Sequence, residues 1–138
     1  MNYLIDTNVI SELVSAHPNP NVIAWLEQIP VEAVFLSVLT LGEIRKGVEK
    51  TQNNRRKKNL LIWLEHDLVK MFDSRILAIS SQVADRWGRL QYQASRTLPA
   101  IDSLIAATAL HYDMTLVTRN VVDFADCPGL EIINPWSD

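Results

Sequence analysis

Cysteine is almost absent: Cys127 is the only one in 138 residues. A disulfide framework within the chain is excluded, which fits a reducing compartment. A thiolate zinc site is excluded with it. Histidine is scarce as well, and His17, His66 and His111 fall in three separate segments, which argues against a tetrahedral zinc centre. The only glycines are Gly42, Gly47, Gly88 and Gly129, so there is no glycine-rich phosphate loop. No stretch approaches the ~20 apolar residues of a membrane span. The start, Met1-Asn2-Tyr3-Leu4-Ile5-Asp6, has no basic run and meets an acid at once, unlike a secretory signal. The expected location is the bacterial cytoplasm, with no membrane partner.

What the chain does have is apolar character, 48% of residues, against 21% charged. A chain of this size reads as one domain, 1–138, able to bury a core without staples. Trp25, Trp63, Trp87 and Trp136 add large apolar area that disordered chains rarely carry. The net charge of −3 argues against a generally basic nucleic-acid surface. Its distribution matters more. Setting aside Asp6, Glu43, Asp102 and Asp123 leaves 12 acids against 13 bases.

Short β-like runs alternate with longer helical ones. Tyr3-Leu4-Ile5 reads as a strand, followed at once by a helix over Asn8 to Val14. Pro18 and Pro20 break that helix, and Pro30 stops the next, which runs from Asn21 or Val22 to Ile29. Ala33-Val34-Phe35-Leu36 reads as a second strand, with a helix from Val38 to Glu49 behind it. A helix from Asn54 to Met71 opens on Arg55-Arg56-Lys57-Lys58 and places Leu60, Leu61, Leu64, Leu68 and Met71 on one face. The basic run reads as a solvated helix start, with an RNA-backbone contact as its alternative. Arg75 to Ala78 is a short strand candidate, and an amphipathic helix starts near Ser80. Pro99 suits an early position in the next helix. Thr115 to Thr118 and Leu130 to Ile133 are further strands. The expected fold class is therefore α/β, a mostly parallel sheet of four to five strands with helices on both faces. In such sheets the site lies beyond the carboxyl ends of the strands, where Asp6, Arg119 and Asn120 fall.

Four acids are candidates, and each has a plain structural reading. Asp6 precedes Thr7 and Asn8 at a strand-to-helix turn, where any of the three can cap. Asp6 is then redundant as a cap, which favours a functional reading. Glu43 stands at capping-box spacing from Thr40, but Ser37 already offers a cap nearer the strand end, and Glu43 is expected to face the sheet edge. Asp102 suits a helix dipole, yet the small residues after it, Ser103 and Ala106 to Ala109, predict a buried helix. Asp123, three residues after Asn120, reads as a cap or turn near the same edge. Together they suit a hard divalent cation such as Mg²⁺ or Mn²⁺, which takes oxygen ligands, supplies Lewis-acid chemistry to phosphate hydrolysis and removes the need for a side-chain nucleophile.

These segments resemble the PIN domain, and in particular the VapC and FitB-like ribonuclease toxins of bacterial toxin–antitoxin modules. The resemblance is carried by Tyr3 to Glu12, Ser37 to Gly47 with Glu43, Asp102 to Ala109, Leu116 to Asn120, and the ending Asn134-Pro135-Trp136. It implies a PIN-like fold and a Mg²⁺-dependent endoribonuclease, with Asp6, Glu43 and Asp102 as the matched acids and Asp6 and Asp102 as metal ligands. Thr7, Asn8 and Thr118 match supporting positions, and Arg119 adjoins the site as a phosphate contact. The fourth position is divided between Asn120 and Asp123. The resemblance further implies a homodimer, an antitoxin that covers the site, and contact with DNA only through that antitoxin. Trp25, Leu26, Ile29, Leu60 and Trp63 present more apolar surface than one small core is expected to absorb, which also points to a dimer.

Two enzyme readings fit poorly. An aspartyl-phosphate phosphatase wants a second acid where Asn8 stands, and a receiver domain wants a late lysine, whereas the last one here is Lys70. A third reading keeps the fold but makes the chain a weakly catalytic partner in transcriptional autoregulation.

Overall fold

A computed structural model describes residues 1–137. Each short apolar run becomes a strand: β1 (Tyr3–Ile5), β2 (Val34–Ser37), β3 (Ile76–Leu77), β4 (Thr115–Val117) and β5 (Ile132–Ile133). All pair in parallel, in the order β3-β2-β1-β4-β5. Leu4 lies opposite both Phe35 and Leu116, which fixes the central register.

Between the strands run α1 (Thr7–Leu13), α2 (Pro20–Gln28), α3 (Val38–Glu49), α4 (Asn54–Ile62), α5 (Val69–Phe72), α6 (Ser81–Gln93), α7 (Ala100–His111) and α8 (Val121–Phe124). Side chains alternate across a strand, and two cores result. Leu4 and Leu116 point to one face, against Val83, Leu90 and Ile105 of α6 and α7. Ile5 and Val117 point to the other, against Val9, Ile10 and Val22, with Ile44, Leu68 and Phe72 beyond. The sheet is covered on both faces, as parallel sheets require.

The strand order places the functional edge. The chain steps outward from β1 to β3, then returns to lay β4 against the free side of β1. The carboxyl ends of β1 and β4 thus lie side by side where the winding reverses, the crevice that open α/β sheets use for ligands.

Several sequence expectations need correction. The helix expected from Asn54 to Met71 is interrupted by a π turn over Trp63–Leu68. As a result Phe72 is buried and Met71 is 48% exposed, so Met71 does not share the buried face. Ala33 belongs to a 3₁₀ turn, Val31–Ala33, rather than to β2. The flanking expected strands shrink to two residues each, and α8 had no sequence signal. Pro99 is the N-cap of α7, one place before the helix. Trp25, Leu26, Ile29, Leu60 and Trp63 all pack partly buried against the second core, so they are not surplus apolar surface. Within the basic run, Arg56 donates to the Val14 carbonyl and Lys57 pairs with Glu49, the ordinary ties of a helix start.

Candidate active site

Asp6 extends β1 by one rung. Its N–H donates to the Val117 carbonyl at 2.9 Å, and the chain then turns directly into α1. Oδ1 accepts from the Thr7 backbone N–H at 2.8 Å. Oδ2 accepts from the Thr118 hydroxyl at 2.8 Å and from Asn8 Nδ2 at 3.3 Å. Asp6 is therefore the cap of α1, and the expectation that a neighbour would cap in its place is wrong. One oxygen caps while the other is held from across the crevice.

Thr118, fully buried just past β4, ties the two strand ends together. Its hydroxyl donates to Asp6 and accepts from Asn8 Nδ2 at 3.3 Å and the Asn120 N–H at 3.0 Å. Asn8 Oδ1 accepts from the Arg119 N–H at 3.2 Å. Both ends of the Asn8 amide are thus used, and the turn after β4 is fastened to the turn after β1.

Ser37 caps α3 by accepting from the Leu39 N–H at 3.1 Å, which leaves Glu43 free of any capping role. Glu43 is exposed rather than turned inward, and the Thr7 hydroxyl donates to its Oε1 at 2.6 Å. Asp102 stands in the first turn of α7. That turn is pinned by α6: Trp87 Nε1 donates to Ser103 Oγ at 2.8 Å, and Gln91 donates to Ser103 Oγ at 3.1 Å and to the Leu98 carbonyl at 3.0 Å. Asp102 itself is half-buried and has no hydrogen-bond or ion-pair partner among the described residues.

The acids act on one another. Burial pushes the Asp6 carboxyl above its ordinary 3.8; the hydrogen bonds from Thr118 and Thr7 oppose this, and the Glu43 charge adds to it. Burial also raises Asp102, reinforced in turn by the charges of Asp6, Asp123 and Glu43. Four negative groups converge on one crevice, and none of them has a cation partner within the described residues.

The sequence profile of the PIN domain family matches residues 3–128. The chain belongs to this family. It is 36% identical to Toxin FitB of Neisseria gonorrhoeae over 138 residues, covering 98% of this chain and 99% of that protein. It is 32% identical to VapC ribonuclease Y4jK of Sinorhizobium fredii, covering 96% of each. Its fold superposes on the crystal structure of FitAcB from Neisseria gonorrhoeae with a TM-score of 0.92 at 35% identity, over 99% of both chains. The structure of FitAB bound to an IR36 DNA fragment matches with the same TM-score and identity, over 99% of this chain and 96% of that one.

Within this PIN domain the residues singled out in the sequence divide into three groups. Asp6, Thr7, Asn8, Glu43 and Thr118 form one hydrogen-bonded set. Asp102 and Asp123 join it through charge alone. Asn120 and Arg119 adjoin it through their backbones. The Asn120 side chain caps nothing, and Asp123 is exposed in α8. The Arg119 guanidinium lies 5.3 Å from the Trp136 ring centroid and makes no ion pair among the described residues.

The donor set fits a hard divalent cation. The converging groups are all carboxylates, and Asp102 has a partly desolvated charge with no cation partner among the described residues. Among the described residues no group of three or more His, Cys, Asp or Glu side chains is placed to hold a metal ion. A closed cage suits zinc, whereas Mg²⁺ usually takes one or two protein carboxylates and keeps its waters.

Beside Thr7 and Glu43 an open groove of ≈ 680 Å³ runs along α3 to Lys46 and Lys50, with Ile101 of α7 on its other side. The sequence reading missed both lysines. Their signal was the spacing from Glu43, three and seven residues, which puts all three on one helical face.

Proposed function

We propose that this PIN domain is a Mg²⁺-dependent endoribonuclease, the toxin of a toxin–antitoxin pair. The observation that carries the reading is Asp102. It is half-buried and unpartnered, at the mouth of a crevice where Asp6 is fixed by three donors and Glu43 by one. Asp6 and Asp102 would hold the ion, and Mn²⁺ has the same ligand preference. The bound ion would supply Lewis-acid stabilisation of charge on the scissile phosphate. Glu43, steadied by the Thr7 hydroxyl, stands at the exposed rim, where it can accept a proton from an attacking water. Thr118 and Asn8 keep the Asp6 carboxylate aimed across the crevice. Arg119, at the edge of the site, would meet a flanking phosphate, and Asp123 adds charge near Asp102.

The relatives named Toxin FitB and VapC ribonuclease support this reading. The FitAB complex on DNA supports a partner protein, an antitoxin, through which this chain would meet DNA; the working unit would be a homodimer. No helix among the described residues is long and apolar enough to cross a membrane.

The test is cleavage of total RNA by the purified chain, freed of any partner protein. Cleavage should require Mg²⁺ or Mn²⁺, stop with a chelator, and fall at least about 100-fold in Asp102→Asn, since even residues behind the ligands are worth 10–100-fold. A chain that stays folded and loaded with Mg²⁺ but cleaves no RNA would favour the transcriptional-partner reading instead.

A further inference from the structure

The cations around α3 divide between two faces. On the outer face Arg45 reaches Glu49 at 3.3 Å and Glu65 at 3.5 Å, and Lys57 of α4 lies 3.4 Å from the same Glu49. On the groove face Lys46 and Lys50 are exposed, and their side chains form no ion pair or hydrogen bond among the described residues. They stand about 4.5 and 10 Å along the helix axis from Glu43. The acid of this groove lining, Glu43, is engaged by the Thr7 hydroxyl, which leaves two cations for something outside the chain.

The glycines of α3 point the same way. Gly42 and Gly47 both line the groove, and a Cβ at either would meet nothing within 4 Å. Glycine in a helix interior costs about 0.5–1 kcal/mol relative to alanine. No neighbour among the described residues needs that space. The bare helix backbone leaves room for a ligand to lie against it. Val38, 37% exposed, and Ile101, 41% exposed, supply apolar walls.

We propose that this groove is the track for single-stranded RNA running from the active site, with Lys46 and Lys50 on successive phosphates, Gly42 and Gly47 admitting the sugar–phosphate chain, and Val38 and Ile101 against unpaired bases. The inference rests on the nuclease reading. Phosphate is favoured as the occupant because the two free cations follow Glu43 along one line, and apolar contact with bases requires them unpaired.

The test is steady-state cleavage of a random-sequence single-stranded oligoribonucleotide pool in Mg²⁺. Lys46→Ala and Lys50→Ala should each raise KM about fivefold, the upper range for an exposed charge pair. The double variant should make the dependence of log(kcat/KM) on log[salt] shallower by about 1.4, at about 0.7 per phosphate of a single strand. Lys70→Ala, which removes an exposed charge on α5 away from the groove, should leave that slope alone. Gly47→Leu should raise the melting temperature, because leucine favours helix and its Cβ meets nothing within 4 Å, and should still raise KM. If the wild-type chain cleaves RNA while the double lysine variant keeps its KM and salt slope, the track is wrong and the nuclease reading stands. Gly47→Leu with normal KM, or groove variants that lose only a protein partner, would equally overturn the track. A folded wild-type chain that neither binds nor cleaves RNA overturns both readings.

Discussion

Asp102 is a carboxylate with no hydrogen-bond or ion-pair partner among the described residues, and its ionisation works against folding when no cation is present. Its folded pKa lies above 3.8, so the folded chain holds that proton more tightly than the unfolded chain. Between 3.8 and the raised value, stability of the metal-free protein falls as pH rises. Asp102→Asn should flatten that fall and raise the metal-free melting temperature at pH 7, while abolishing the thermal shift produced by Mg²⁺. Thermal melts across pH, with and without Mg²⁺, check both halves; a variant less stable than wild type in chelator would show that the charge is not strained. Asp6→Asn is a less clean change, because its amide would put a second donor against Thr118 or Asn8, both of which now donate to it. Asp123 is exposed and contributes charge at Asp102, so Asp123→Asn should reduce cleavage about fivefold at limiting Mg²⁺ with unchanged stability. Normal cleavage by that variant would remove Asp123 from the site. The sequence made Asp6 and Asp102 legible through their places after a buried strand and at the head of a small-residue helix. It could not show that one Asp6 oxygen caps while the other faces the crevice, because that depends on Thr118, 112 residues away.

The helical run over 54–72 shows what periodicity can and cannot reveal. Leu60, Leu64, Leu68 and Phe72 recur every four residues, a spacing that drifts around an ideal helix of 3.6 residues per turn. The π turn at Trp63–Leu68 winds more loosely and absorbs the drift, keeping Leu64, Leu68 and Phe72 on the core. An ideal-helix reading reaches Met71 instead, which is why it misplaced that residue. The short strands were legible as apolar runs, but their ends follow from pairing partners that the local sequence does not name. α3 carries a testable internal cost. The Thr40 hydroxyl is fully buried and has no hydrogen-bond partner among the described residues. Thr40→Val keeps the shape and removes the unsatisfied group, so it should stabilise the protein by about 1 kcal/mol, or about 3 °C in melting temperature. A lower melting temperature would mean that the hydroxyl has a solvent partner worth more than its desolvation.

At the scale of the molecule, the alternation of strands and helices predicted a parallel sheet, but not the order in which β4 returns to β1. That order creates the crevice. The same packing decides where self-association can occur. The two cores take up Trp25, Leu26, Ile29, Leu60 and Trp63, so these residues do not explain a dimer. What the fold leaves outside on the 54–72 run is Ile62, Val69 and Met71, each 43–49% exposed. The expected assembly is a two-fold dimer with this stretch in its interface. In such an interface each residue is used twice, so one substitution removes two contacts. Burial of apolar area stabilises association by roughly 25 cal/mol per Å², whereas a charge placed there must be desolvated. Light scattering should therefore give about 31 kDa for the wild-type chain, twice the 15.7 kDa of one copy. Ile62→Asp should move the mass toward a single copy without lowering helix content or abolishing Mg²⁺ binding, because the substituted side chain lies outside both cores. A wild-type chain that stays at one copy at tens of micromolar ends the dimer expectation and leaves the exposed stretch to a partner protein. A dimer that survives Ile62→Asp together with Val69→Asp forms through another face.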